Sequence, residues 1–220
     1  HFRMDRQEIA WRSPLSAFRP LAGRADAVIL HGGALASEAR WSFIAANPAR
    51  RIESVNGVTF IDGEPVRQDP FEALSRVHQE RRVASDKEPP PLMSGLVGYA
   101  GYECGRFSEP SAEGPPSPYA APDFSFSAYD AIAAFDRVLE RAYVTGRSAD
   151  AMARLGAMLG VVDRAPKCLP DIAAPLSNFT RAEYCAAVSG VVDKISRGDL
   201  FQANISQRLQ LRAQAPIDAY

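Results

Sequence analysis

The chain has 220 residues, 46% of them hydrophobic, and a formal net charge of −1. That is apolar material for one large globular domain or one and a half. The near-neutral, dispersed charge leaves no electrostatic footprint for nucleic acid, and no apolar run approaches the roughly 18 residues that mark a membrane-spanning helix.

Asp26–His31 and Trp41–Ala46 read as strands. Arg51–Val66 reads as a hairpin, with Ile52, Val55, Val58, Phe60 and Ile61 flanking Asn56-Gly57, a strong turn signal. Asp69–Val83 is a predicted helix capped by Asp69, with Pro70 at its first position and Phe71, Leu74, Val77 and His78 on one face. Ser85–Pro91 is a charged loop, and Leu96–Tyr102 a strand. Glycines 95, 98, 101 and 105 lack the G-x-G start of a dinucleotide fingerprint. They predict instead a strand that another backbone or a large ring approaches closely. Glu103 and Arg106 are spaced to pair, at a worth of roughly 0–1 kcal/mol on a surface.

Ser108–Pro122 holds five prolines and reads as an exposed loop. Ser127–Phe135 and Arg137–Thr145 read as an antiparallel pair turning at Asp136-Arg137, followed by a helix over Ser148–Leu159 and a Pro/Ala-rich linker over Asp163–Ser177. Strands joined by hairpins, with helices between groups, predict an α+β fold of largely antiparallel sheets.

Asn178–Leu211 is the most sharply specified stretch. Thr180 and Glu183 form a T-x-x-E capping box. Tyr184, Val188, Val191 and Ile195 make one apolar stripe, with Cys185 beside it as a core residue. Lys194 and Arg197 suit the last turn, and Gly198 the left-handed position after it. The period then changes: Phe201, Ala203 and Ile205 alternate with Gln202, Asn204 and Ser206, predicting a half-buried strand to Leu211 whose polar row is its wet face. Gln207 breaks the alternation for no reason visible in the sequence. Cys104, Cys168 and Cys185 are odd in number, widely spaced and without C-x-x-C, which points away from disulfides or zinc and toward a reducing, cytoplasmic setting. The N-terminal HFRMDRQEIAW has no apolar signal-peptide core.

The run Gly198-Asp199-Leu200-Phe201-Gln202-Ala203-Asn204-Ile205-Ser206-Gln207-Arg208 after Tyr184 resembles the start of the chorismate-binding domain in the anthranilate synthase and aminodeoxychorismate synthase component I family. Gly198, Asp199, Gln202, Asn204, Gln207 and Arg208 are the motif positions. Asn204 and Gln207 resemble the aminodeoxychorismate branch; anthranilate synthase component I is the alternative. GLVGYAGYECGR at Gly95–Arg106 is similar to a glycine- and tyrosine-rich segment of the same family. DAVILHGGALASEARWSFIAANP at Asp26–Pro48 resembles its early strand, turn and strand, where the resemblance implies a tryptophan pocket. Gly32 stands where many members carry a hydroxyl residue, and Arg40 and Trp41 match a basic-plus-aromatic pair. Taken alone, Arg40-Trp41 reads equally as a loop cation stacked on a strand aromatic, and His31 as a strand-end histidine.

The resemblance implies two sheets packed face to face with flanking helices, and a division into an N-terminal domain over 1–162, a linker over 163–177 and the start of a truncated catalytic domain over 178–220. It implies amination of chorismate with ammonia from a glutaminase (glutamine amidotransferase) subunit. Mg²⁺ and the catalytic residues lie in the family's C-terminal half, so the expectation for this chain is no catalytic residue, no metal ligand and no activity by itself. A stand-alone module that binds an aromatic amino acid is the reading from a different functional class.

Overall fold

The computed structural model describes residues 5–33, 39–82, 90–109, 121–161 and 174–210. They fall into two compact units, His1–Asp163 and Arg164–Tyr220.

The first unit is built from two five-stranded antiparallel sheets. One has the order β1 (Asp5–Ile9), β10 (Arg141–Gly146), β9 (Ala131–Asp136), β3 (Trp41–Ala45), β2 (Val28–Leu30). The other runs β6 (Glu64–Val66), β5 (Val58–Ile61), β4 (Arg50–Val55), β8 (Phe124–Tyr129), β7 (Gly95–Ala100). The sheets meet through Ala45 and Ile132 of the first and Tyr129 and Val97 of the second. On the other face of the first sheet lie α1 (Pro14–Phe18) and α3 (Ala149–Gly160), the latter burying Ala151, Met152, Leu155 and Leu159. α2 (Pro70–Glu80) covers the second sheet with Ala73 and Val77 against Ile52, Ile61 and Phe124. Each fully buried Val, Ile, Leu or Phe side chain among these is worth about 1.5–3 kcal/mol.

Local chemistry accounts for the helix starts. Asp69 accepts from the Phe71 and Glu72 amides, and Pro70 occupies the position where an N–H would have no partner. The helix ends at Glu80, before the predicted Val83, which lies outside the described residues. The Asn56-Gly57 hairpin forms, and a second turn at Asp62-Gly63 makes the region a three-stranded meander. β2 and β3 occupy the predicted sites with trimmed ends. The glycine-rich strand runs Gly95–Ala100, and Tyr102 opens a 3-10 turn that extends to Phe107. A Cβ on Gly98 would lie 2.0 Å from the Ser125 carbonyl oxygen and 2.7 Å from the Phe126 ring. The strand therefore carries glycine because both a backbone and a ring approach it.

Three expectations are corrected. The predicted strand Ser127–Phe135 is two strands in two sheets, β8 and β9, divided at Asp130. Asp130 pairs through its carboxylate with Arg81 and accepts the Arg147 amide on its carbonyl at 2.9 Å. Both flanks are buried, so no alternation marked the crossing. The turn that follows covers Arg137–Glu140, with Asp136 still in the strand. Finally, Arg106 pairs with Asp123 at 3.2 Å and not with the Glu103 carboxylate, because the 3-10 geometry turns its guanidinium toward the Glu103 carbonyl. β1, α1 and a 3-10 turn at Arg19–Leu21 had no counterpart in the sequence reading.

The second unit holds α4 (Arg181–Ser196) and the two-residue strands β11 (Leu176–Ser177) and β12 (Leu209–Gln210), paired antiparallel. The capping box forms: Glu183 N–H donates to Thr180 Oγ1 at 3.2 Å and Thr180 N–H to Glu183 Oε2 at 2.8 Å. Gly198 follows in the left-handed region with φ 79°. The predicted strand over 201–211 is reduced to Leu209–Gln210, with Leu211 outside the described residues. Residues 200–208 have the alternation of a strand but no neighbouring strand among the described residues to complete a ladder. α4 buries no residue, and Cys185 is exposed, because none of the described residues of this unit covers the stripe. No helix among the described residues is long and apolar enough to cross a membrane.

Candidate functional site

Gly32, Arg40 and Trp41 lie at the two ends of the connection between β2 and β3, and the first sheet holds both ends. A Cβ on Gly32 would sit 2.6 Å from the Trp41 carbonyl oxygen and 2.9 Å from that of Ala39, so the connection closes too tightly for any side chain there. A hydroxyl does meet Gly32, from Ser42, one residue into β3 and fully buried. Ser42 Oγ accepts the Gly32 amide at 3.1 Å and faces His31 Nδ1 at 3.2 Å. His31 is thus a strand-end histidine engaged with its neighbour.

Arg40 sits on Asp136, the last residue of β9. Its Nε and Nη2 reach the carboxylate at 3.0 and 2.5 Å. The same carboxylate accepts the Val138 and Leu139 amides at 3.1 and 3.2 Å. Arg137 continues the clasp: its amide donates to the Arg40 carbonyl at 3.0 Å and its guanidinium to the Gly32 and Gly33 carbonyls. Above this base Arg40 lies over the Trp41 ring at 5.4 Å, and Trp41 stacks on Phe43 at 6.3 Å. The same face carries Tyr143, with Arg6 and Arg141 both over its ring. The arrangement sets aromatic rings beside guanidinium groups, of which Arg40 is held by Asp136 and Arg141 by Glu8. Sequence reasoning found Arg40 and Trp41 but missed Asp136, Ser42 and Arg137. Their role depends on the register Trp41↔Asp136 and Ser42↔Phe135, which pairs residues far apart in the chain.

The Arg40 guanidinium, then the Val138 and Leu139 amides, hold the Asp136 carboxyl below the ordinary carboxylate range. A carboxylate whose folded pKa is depressed stabilises the fold above its unfolded pKa, and that stabilisation disappears as pH falls through the folded value. Asp136→Asn is therefore expected to cost about 1.5 kcal/mol at neutral pH, the low end for a charged hydrogen bond since Arg40 is half exposed. It should also flatten the loss of stability below about pH 4. Urea melts of both proteins from pH 7 to 3 measure this; parallel curves would remove Asp136 from the acid response.

The family-motif positions belong to the second unit: Gly198 and Asp199 follow the end of α4, and Gln207 and Arg208 lie against Ser177 and Asn178, just before its start. Asp199 donates its amide to the Lys194 carbonyl at 3.0 Å and pairs with Arg197 at 3.1 Å. Gln202 and Asn204 are exposed. Gln207 Nε2 donates to Ser177 Oγ at 2.7 Å, and the Arg208 backbone pairs with Asn178. The break in alternation at Gln207 thus has a structural cause. Among the described residues no group of three or more His, Cys, Asp or Glu is placed to hold a metal ion.

Residues 28–220 match the family of chorismate binding enzymes. Anthranilate synthase component 1 of Streptomyces coelicolor is 32% identical over 239 residues, covering 94% of this chain and 43% of that protein. The protein of the same name from Thermus thermophilus is 27% identical, covering 90% and 45%. The crystal structure of anthranilate synthase component I from Streptococcus pneumoniae superimposes with a TM-score of 0.68 at 26% identity, over 94% of this chain and 49% of that one. The chain spans about half the length of the relatives it matches, and its two antiparallel sheets with flanking helices are the anthranilate synthase component I-like fold. The chain belongs to the chorismate-binding enzyme family.

Proposed function

We propose that the chain contributes the N-terminal sandwich and the opening helix of the catalytic domain to an enzyme that aminates chorismate, and that the product is anthranilate. The observation that carries this is the extent of the likeness: it runs over 94% of the chain into proteins named anthranilate synthase component 1. A glutamine amidotransferase partner would supply the ammonia, in the cytoplasm. Residues 1–162 serve as the N-terminal domain, 163–177 as linker and 178–220 as the start of the chorismate-binding domain, a division supported by the boundary between compact units at Asp163. Mg²⁺ belongs to the same proposal, but the described residues offer it no donor set, and no step is assigned to it.

The second reading, amination at the 4-position by an aminodeoxychorismate synthase component I, rests on Asn204 and Gln207. Its support is weakened by the contact Gln207 makes with Ser177, which gives that residue a reason to be glutamine independent of the product. Tryptophan remains the proposed ligand of the Gly32, Arg40 and Trp41 region, recognised through the Trp41 ring and the Arg40 guanidinium.

The test is an assay of the native enzyme with chorismate and ammonium. Fluorescent anthranilate is the expected product; 4-amino-4-deoxychorismate would move the assignment to the other branch. No turnover, with L-tryptophan binding intact by calorimetry, would make the protein a non-catalytic binding module.

A further inference from the structure

Residues 201–208 form no strand ladder among the described residues, yet they are fastened at defined points. Ser177 Oγ donates to the Phe179 carbonyl at 2.7 Å and accepts the Phe179 amide at 3.0 Å and Gln207 Nε2 at 2.7 Å. One hydroxyl has one donor and two acceptor sites, so its capacity is filled. Beside it the Arg208 amide donates to Asn178 Oδ1 at 2.7 Å, and the Asn178 amide to the Arg208 carbonyl at 3.1 Å. Tyr184, from the first turn of α4, donates its hydroxyl to the Ile205 carbonyl at 3.3 Å and meets Phe179 edge-on at 5.9 Å. The flanks of the α4 N-terminus thus grip positions 205, 207 and 208. Gln202 and Asn204 stand exposed with no hydrogen-bond partner among the described residues.

We infer that Gln207 is a positioning residue: by closing on Ser177 it fixes the path of 201–206 and the direction in which the carboxamides of Gln202 and Asn204 are presented, and it does not itself meet the substrate. The inference rests on the chorismate-amination reading for its catalytic consequence, but the strap stands or falls separately. Its side chain is engaged within the fold, and its identity answers to Ser177 and not to which ring carbon is aminated.

Two measurements test it. In the full chain, amide exchange is followed at Asn178 and Arg208, whose bonds use neither mutated side chain. Gln207→Ala and Ser177→Ala should each speed exchange there by roughly two- to tenfold, the range of one lost hydrogen bond. The double variant should be no faster than either single, and Ser177→Thr, which keeps the hydroxyl, should behave as wild type. Unchanged exchange in Gln207→Ala, or additive losses in the double variant, would overturn the strap. In the active enzyme, Gln207→Ala should lower kcat severalfold with the KM for chorismate and the product unchanged. A raised KM at constant kcat, or a changed product, would make Gln207 a substrate contact and overturn the assignment. If the wild-type enzyme does not turn over chorismate, the functional reading fails while the exchange result still decides the strap.

Discussion

Alanine at position 98 is expected to cost the first unit about 3 kcal/mol or more, the upper end for overpacking, and to lower its melting temperature by roughly 6–12 °C. The added methyl would meet the Ser125 carbonyl oxygen at 2.0 Å and the Phe126 Cα at 2.6 Å, both backbone atoms of the interior strand β8. A flexible side chain could swing aside; a ladder strand bonded on both edges to β4 and β7 cannot. Relief would require breaking the β7–β8 pairing, which also positions the 3-10 turn where Cys104 donates to the Asp123 carbonyl and Arg106 meets the Asp123 carboxylate. Gly105→Ala is the matched control, since a Cβ there has open space around it. Circular dichroism melts of the two variants decide the matter. Equal melting temperatures would show that the close approach at Gly98 is not what the glycine serves.

That glycine also marks how far the sequence could be read. Wherever structure is written in adjacent residues it was legible: Asp69-Pro70 starting a helix, Asn56-Gly57 turning a hairpin, Thr180 with Glu183 capping α4. The glycine-rich strand was readable as a place of close approach, though not which strand approaches. Features that depend on distant partners were hidden. β1 is a polar pentapeptide, Asp5-Arg6-Gln7-Glu8-Ile9, that becomes a strand only because β10 offers it an edge. The crossing between sheets at Asp130 lies in a run buried on both sides, where alternation vanishes. In the candidate site, Arg40 and Trp41 were visible as a cation beside an aromatic ring. The carboxylate that holds the cation, Asp136, and the hydroxyl that accepts the Gly32 amide, Ser42, came into view only with the pairing of β3 against β9. The error over 201–208 is the reverse case: alternation describes what a segment can do, and a strand also needs a neighbour.

The purified 220-residue chain is expected to self-associate as its concentration rises, through α4 and the residues after it. Val188, Val192, Ile195 and Leu200 are 37–54% exposed and Phe201 is 96% exposed. The helix itself is well specified by its capping box, yet a capped helix of this length is only marginally stable in water unless an apolar face is covered. A contiguous exposed apolar patch, next to a segment whose backbone donors and acceptors have no ladder, recruits whatever can cover it, and in a pure sample that is another copy. Val192→Asp combined with Phe201→Ser should return the protein to a monomer by sedimentation while leaving the melting of the first unit unchanged, since neither residue belongs to it. In the proposed enzyme the same face would be the seam against the rest of the catalytic domain, so the double variant should there lose activity by destabilising that domain. A chain that stays monomeric at millimolar concentration, or a double variant that associates as the parent does, would show that this face does not drive association.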